Sequence, residues 1–219
     1  MNKILRVNMA KLTAIHEDVP EKYMLLGGRG LTSTIVADEV DPTCHPLGPN
    51  NKIVFAPGMV SGTAAPSSGR LSVGAKSPLT GGIKEANAGG ISSQKIAHLG
   101  IKAIVVEGQP PEKQTFILRV TKDAAELVPA GDLAGKGTYE TNAILWDRYG
   151  KTGIIGIGPV GERLMTNAGV STNDMENGPG RYAGRGGLGA VMGSKGLKAI
   201  VIDDTGARDV EIKDPEGFK

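Results

Sequence analysis

Residues 178–196 read GPGRYAGRGGLGAVMGSKG and run straight into the apolar LKAIVID of 197–203. Eight glycines and two arginines in so short a stretch need a cause, because glycine loses more backbone entropy on folding than any other residue. One cause is a flexible surface loop. The other is a site where backbone N–H groups approach an anion, arginines add fixed charge and a helix begins.

The stretch has a counterpart earlier in the chain. NKIVFAPG (51–58), RLSVGAKS (70–77) and EANAGGISSQKIAHLGIKAIVVEG (85–108) occur in the same order as TGIIGIGP (152–159), RLMTNAGVS (163–171) and RYAGRGGLGAVMGSKGLKAIVIDD (181–204). Both series contain the same tetrapeptide, Lys102-Ala103-Ile104-Val105 and Lys198-Ala199-Ile200-Val201. Superposing the tetrapeptides sets Asn87-Ala88-Gly89-Gly90 opposite Ala183-Gly184-Arg185-Gly186. A pseudo-symmetric pair of helix starts follows, suited to a ligand with two similar anionic parts such as two phosphates.

Around this repeat the patterning is mixed. KILRVNMAKLTAIHEDV alternates around an Asn-centred break and predicts a β-hairpin. PEKYMLLGGRGLTSTIVADEV predicts a helix pair or one broken helix, with Gly27, Gly28 and Gly30 interrupting it. NKIVFAPG, GRLSVGAKS and IKAIVVEG predict strands, with a helix over GGISSQKIAHLG closed by Gly100. QTFILRVTKDAAELVPA predicts two strands and GTYETNAILWDRYG an amphipathic helix capped by Thr138. KTGIIGIGP, RLMTNAGVST and LKAIVID predict three more strands, the glycine-rich stretch opening a short helix before the last.

At 219 residues there is enough chain for one large domain or two small ones. A net charge of +2 gives no electrostatic case for nucleic acid or an anionic membrane. Aromatics are 4% of the chain, so Val, Ile, Leu and Ala must build the core. The single cysteine, Cys44, can form neither an intrachain disulfide nor the thiolate shell of an iron–sulfur cluster. MNKILRVNMAKL is too short and too charged for a secretory h-region, and no apolar run is long enough to span a bilayer. The expectation is a soluble, cytoplasmic protein.

Two motifs mislead. Gly156-Ile157-Gly158-Pro159-Val160-Gly161 satisfies the dinucleotide fingerprint, but Pro159 and ERLMTNAGV predict a turn and a strand where that fold needs a helix. GAVMGSK (189–195) has the wrong spacing for a phosphate-binding P-loop. His16, His45 and His98 are scattered, the acidic residues are dispersed, and no residue declares itself a general acid, base or nucleophile.

APSSGRLSVGAKSPLTGGIKEANAGG and AGRGGLGAVMGSKGLKAIVI, with ILRVNM, GGRGL at 27–31, DPTCHPLGPNNKIVFAPGMVSGT at 41–63, IKAIVVEG at 101–108 and IGIGPVGERL at 155–164, resemble the N-terminal domain of the aldehyde ferredoxin oxidoreductase family. The resemblance implies an α+β fold, with mixed β-sheets in two pseudo-symmetric halves and short helices. This base, residues 1–208, would carry a tungsten or molybdenum bis-pyranopterin cofactor, and 209–219 would begin a linker.

By the resemblance, Arg70, Asn87, Ala88 and Gly89 match one pterin-binding segment, and Arg181, Tyr182, Ala183, Gly184 and Arg185 the other. Main-chain carbonyls of Asn87 and Tyr182 would hold the magnesium that bridges the pterin phosphates, a hard cation suited to oxygen ligands. Tyr182 stands where the family commonly has a small residue. The [4Fe–4S] cluster, the substrate pocket and the remaining pterin contacts belong to C-terminal helical domains or a partner subunit, and ferredoxin would accept the electrons. A homodimer is compatible with this. No catalytic residue is expected in this chain, which alone should be inactive. The complete enzyme would oxidise an aldehyde to a carboxylate. The alternative from another class is a non-enzymatic phosphate- or nucleotide-binding module using the same glycine-rich loops.

Overall fold

In the computed structural model, which describes residues 2–218, the first half of the chain forms β1 (Lys3–Asn8), β2 (Thr13–Asp18), a 3-10 turn (Glu21–Tyr23), α1 (Gly28–Glu39), β3 (Ile53–Pro57), β4 (Leu71–Lys76), β5 (Ile83–Ala88), α2 (Ser92–His98) and β6 (Ile101–Glu107). The second half repeats the order: β7 (Phe116–Val120), β8 (Ala125–Pro129), a 3-10 turn (Gly131–Leu133), α3 (Thr138–Tyr149), β9 (Gly153–Gly156), a single turn α4 (Pro159–Glu162), β10 (Val170–Thr172), β11 (Arg181–Ala183), α5 (Leu188–Ser194) and β12 (Leu197–Ile202). One sheet runs β2-β1-β6-β3-β4-β5 and the other β8-β7-β12-β9-β10-β11. Every strand therefore has a counterpart, and the α+β fold in two halves is as expected.

The two KAIV tetrapeptides lie in the matching strands β6 and β12. Each of these is parallel to the first strand of its half and antiparallel to the third. Both faces of each sheet are covered, so these runs are continuously apolar after Lys102 and Lys198, over Ala103–Val106 and Ala199–Ile202, instead of alternating with polar residues. Successive side chains still point to opposite faces. Leu5, Val7, Phe55 and Ile104 turn inward to meet Leu118, Ile155 and Ile200 of the other sheet, with Ile96 of α2 and Leu188, Val191 and Met192 of α5 in the same core. Outward, Leu31, Ile35 and Val36 of α1 cover Ile4, Val54 and Val105. Leu145 of α3 does the same over Ile117, Ile154 and Val201. Each such buried side chain contributes about 1.5–3 kcal/mol of hydrophobic transfer free energy.

Register corrects the gap-free superposition by one residue. Val54 pairs with Val105 and Ile154 with Val201. Two residues further along β3 and β9, Ala56 pairs with Ser72 and Gly156 with Ser171. Ser72 in turn faces Asn87, and Ser171 faces Tyr182. The counterpart of Asn87 is thus Tyr182 and not Ala183, because the connection from β11 to α5 (184–187) is one residue longer than that from β5 to α2 (89–91).

Other local expectations also change. Thr138 is the first helical residue of α3 rather than its cap. Gly137 occupies the cap position without a side-chain bond, and the Thr138 hydroxyl lies 3.2 Å from that of Tyr182. A helical turn does open at Pro159, whose fixed φ suits the first helical position. The dinucleotide fold still fails, since β9 is antiparallel to both of its neighbours. In place of a helix pair or a broken helix there is a 3-10 turn and then one helix, with Gly27 at its cap and Gly28 and Gly30 in its first turn, and the expected RLMTNAGVST strand shrinks to Val170–Thr172. Glu39 and Glu107, far apart in sequence, share Lys52 at 2.7 and 2.9 Å.

Charged stems inside the core tie down irregular segments. Lys195, fully buried at the end of α5, donates from Nζ to the carbonyls of Gly48 at 3.0 Å and Asn51 at 2.5 Å. It fixes the long α1–β3 connection of the first half to the second half. Burial pushes its ammonium pKa down to about 8. A lysine protonated less readily in the folded state than in the unfolded one makes stability rise with pH between the two values. Between pH 8 and about 10.5 the wild-type protein should gain stability relative to Lys195→Met, by up to about 1.4 kcal/mol per pH unit within that window. Denaturant titrations of both proteins across the range check this.

Candidate functional site

The edge strands β5 and β11 lie beside each other, so the corresponding ends of the two halves meet on one surface. A groove of about 470 Å³ there is lined by Arg70, Asn87, Ala88, Gly89, Arg181 and Tyr182, together with Ser67, Gly69, Gly90 and Gly180. A second hollow of about 500 Å³ is lined by Ala86, Asn87, Tyr182, Gly184 and Arg185. Asn87 and Tyr182 border both. Of the residues singled out from sequence, Ala183 alone lines neither; it is fully buried. Ala88 is 2% exposed, so both alanines can offer a groove ligand little beyond their main chain.

The glycines of the opening stretch divide into two kinds. Some are demanded by the fold. Gly187 has φ +70°, and a Cβ there would sit 2.5 Å from the Thr166 carbonyl oxygen. On α5, a Cβ at Gly189 would come 2.4 Å from the Gly169 oxygen, and one at Gly193 would come 2.1 Å from the Gly161 oxygen. These two residues let the helix lie directly on neighbouring backbone. Others face space: a Cβ at Gly89 or Gly180 would meet nothing within 4 Å, and one at Gly184 only the Tyr182 Cβ at 4.0 Å. Three open glycines beside three exposed arginines form a cradle into which a ligand can bring an anionic group against the backbone.

The charge distribution suits an anion. Arg70, Arg181 and Arg185 are exposed, and none reaches a carboxylate within ion-pair distance among the described residues. Arg29, at the start of α1, lies 4.0 Å from Glu85. Ser72 donates to the Asn87 side-chain oxygen at 2.5 Å, and the Asn87 amide donates to Glu85 at 2.6 Å. Asn87 is therefore locked by its own strand pair. Among the described residues no group of three or more His, Cys, Asp and Glu side chains is placed to hold a metal ion.

The loops that shape the groove are held across the halves. Thr172, at the end of β10, donates to the Gly89 carbonyl at 2.6 Å, and the Ile91 amide donates to Asn173 at 3.1 Å. In the other direction, Ser77, just beyond β4, donates to the Gly186 carbonyl at 2.8 Å. The Gly189 amide near the start of α5 donates to the Ala168 carbonyl. The starts of α2 and α5 thus spend part of their donor capacity inside the protein, and the groove walls are strand ends and loops. Sequence reading missed Thr172 and Ser77, since nothing in chain position brings them to the partner loop. Gly180 could have been found, as part of GPGRY immediately before Arg181.

Among the described residues no helix is long and apolar enough to cross a membrane. Comparison with known proteins agrees with this architecture. The family described as "Aldehyde ferredoxin oxidoreductase, N-terminal domain" matches residues 4–204. The tungsten-containing aldehyde ferredoxin oxidoreductase of Pyrococcus furiosus is 41% identical over 222 residues, covering 99% of this chain and 35% of that protein. That of Thermococcus kodakarensis is 42% identical over the same shares. The chain therefore spans about a third of the length of these relatives. Among solved structures, the active-site complex BamBC of benzoyl coenzyme A reductase, in complex with 1,5 dienoyl-CoA, superposes with a TM-score of 0.87 at 30% identity, covering 95% of this chain and 31% of that one.

The two kinds of glycine should respond differently to a methyl group. Gly187→Ala is expected to destabilise the protein by at least about 1–2 kcal/mol, from left-handed strain and overpacking. Gly89→Ala should stay within about 0.5 kcal/mol of wild type. Chemical denaturation of the two variants tests the division.

Proposed function

The chain belongs to the aldehyde ferredoxin oxidoreductase family as its N-terminal domain, and on that premise we propose that residues 1–208 form the base that binds a tungsten or molybdenum bis-pyranopterin. Residues 209–219 then begin the linker to the rest of the enzyme. The carrying observation is the cradle: open backbone at Gly89, Gly180 and Gly184 beside Arg70, Arg181 and Arg185, with Gly89 and Gly184 at equivalent places in the two halves. A two-fold repeated site suits a cofactor with two similar phosphate-bearing arms. The tungsten named in the relatives supports the metal.

In this reading Arg70, Arg181 and Arg185 neutralise the phosphates through charge-assisted hydrogen bonds, for which the planar guanidinium is well matched. Asn87, Ala88, Gly89, Ala183 and Gly184 contribute main chain. The carbonyls of Asn87 and Tyr182, which occupy equivalent positions in the strand register, are assigned to a bridging magnesium. Ser72 and Glu85 keep Asn87 fixed, and Thr172 and Ser77 keep the loops fixed, so the groove is pre-organised before anything binds.

When bound, the metal–pterin group supplies the redox chemistry, and the protein supplies binding, orientation and electrostatics. The complete enzyme oxidises an aldehyde with water to a carboxylate, releasing two electrons and three protons. A [4Fe–4S] cluster held outside this chain would supply the electron path to ferredoxin. The cluster, substrate pocket and ferredoxin contact lie in the remaining two thirds of the polypeptide or in a partner subunit, so this chain alone is inactive.

Metal and pterin analysis of the full-length protein, purified from a host that makes the cofactor, tests the assignment. Tungsten or molybdenum with about two pterins per chain is expected if each half holds one anionic arm. Bound nucleotide without metal would favour the phosphate-binding module instead. Arg70→Ala, Arg181→Ala or Arg185→Ala should each weaken retention by about 10- to 100-fold, the loss of one hydrogen bond to a charged group. Gly89→Val should lower metal content while leaving the unfolding midpoint near wild type.

A further inference from the structure

The internal repeat exposes an asymmetry remote from any assigned role. Lys198 in β12 is fully buried. It donates to the Lys136 carbonyl at 2.8 Å and pairs with the Glu162 carboxylate. The second oxygen of that carboxylate accepts the Gly135 amide at 2.8 Å. One carboxylate thus satisfies two donors, a buried ammonium and a backbone N–H in the turn before α3.

The counterparts in the first half are Lys102 and the turn before α1. Lys102 is 8% exposed and donates to the Met24 carbonyl at 2.9 Å, with only the Met59 thioether beyond that, at 3.6 Å. Counting back from the caps Gly27 and Gly137, the residue matching Gly135 is Leu25, which is exposed to solvent and supplies no donor on the Lys102 side. The position matching Glu162 is Gly62, which has no side chain. Lys102 lies in the wall of a cavity of about 480 Å³ whose apolar lining includes Leu26, Met59, Ala97 and Ile101. Arg208, Asp209 and Glu211 line the same cavity from the chain beyond β12, and neither acid comes within ion-pair distance of Lys102.

A buried ammonium without a counter-charge is costly. Burial depresses the Lys102 pKa, as expected for a cation lacking such a partner. We propose that this cavity binds a carboxylate, placed against Lys102 as Glu162 is placed against Lys198 in the other half, with a short apolar chain against Leu26, Met59 and Ile101. The site lies outside the cradle and stands whether or not a pterin binds there. The carboxylate is that of a small acid or of a side chain in the remaining polypeptide.

The experiment is calorimetric titration of the full-length protein with butyrate and with its neutral analogue butyramide, at fixed ionic strength. Saturable butyrate binding, at least tenfold tighter than butyramide and weakened at least tenfold in Lys102→Met, is expected for a small acid. Glu162→Gln should leave that affinity unchanged. Equal binding of the two compounds, or unchanged butyrate binding in Lys102→Met, overturns the proposal. If Lys102→Met does not fold, crystals of the wild-type protein grown with 2-bromobutyrate decide instead: bromine beside Lys102 supports the small acid, a carboxylate side chain of the remaining polypeptide beside Lys102 supports the other source, and neither one there overturns the proposal. A side chain of the remaining polypeptide is identified as the source when wild type binds no butyrate and Lys102→Met destabilises as much as Glu162→Gln does. Absence of both effects overturns the proposal, as does butyrate binding only after Asp209→Asn with Glu211→Gln, which makes the tail itself the counter-charge.

Discussion

The placement of α2 and α5 between the two sheets is the constraint on which the rest of the molecule depends. Each helix touches strands of both halves, so neither half completes its inner core without the other. Ile96 from one side and Leu188, Val191 and Met192 from the other fill the same space. Close packing of that kind is rigid at the scale of a methylene group. Once the sheets are clamped face to face, β5 and β11 must lie side by side. The two loops leading into α2 and α5 then open on one surface.

Rigidity reaches that surface through hydrogen bonds that cross the halves. Thr172 and Asn173 hold the loop around Gly89, and Ser77 holds the loop around Gly186. Each loop is shaped by the half to which it does not belong. A ligand spanning both would therefore meet two halves already in register, with the ordering entropy of the loops lost at folding and not at binding.

Duplication has also left differences that carry information. The counterpart positions Asn87 and Tyr182 share a place in the strand register but not a side-chain environment: one is locked by Ser72 and Glu85, the other sits near the Thr138 hydroxyl. Lys102 and Lys198 diverge more sharply, because only the second keeps a carboxylate. Buried lysines elsewhere, such as Lys76 and Lys195, end on backbone carbonyls of the connection between α1 and β3. There they do the work of the secondary structure that segment lacks.

The sequence by itself determined the repeat, the order of its strands and helices, and the clustering of glycine at two matching places, with arginines at the second. These are local patterns, set by apolar periodicity and by residues with unusual backbone freedom. It could not set the register of the second repeat, because a one-residue difference in loop length is invisible until strands pair. β5 and β11 escaped notice for a related reason. They are edge strands whose pairing comes from Leu71–Lys76 and Val170–Thr172, and not from their own weak β propensity. Only the tertiary structure separated glycines required by backbone contact from those that leave space, joined Thr172 to Gly89, and buried Lys102 without a counter-charge. Each of these rests on distances between residues far apart in the chain, and contact of that kind is decided by packing.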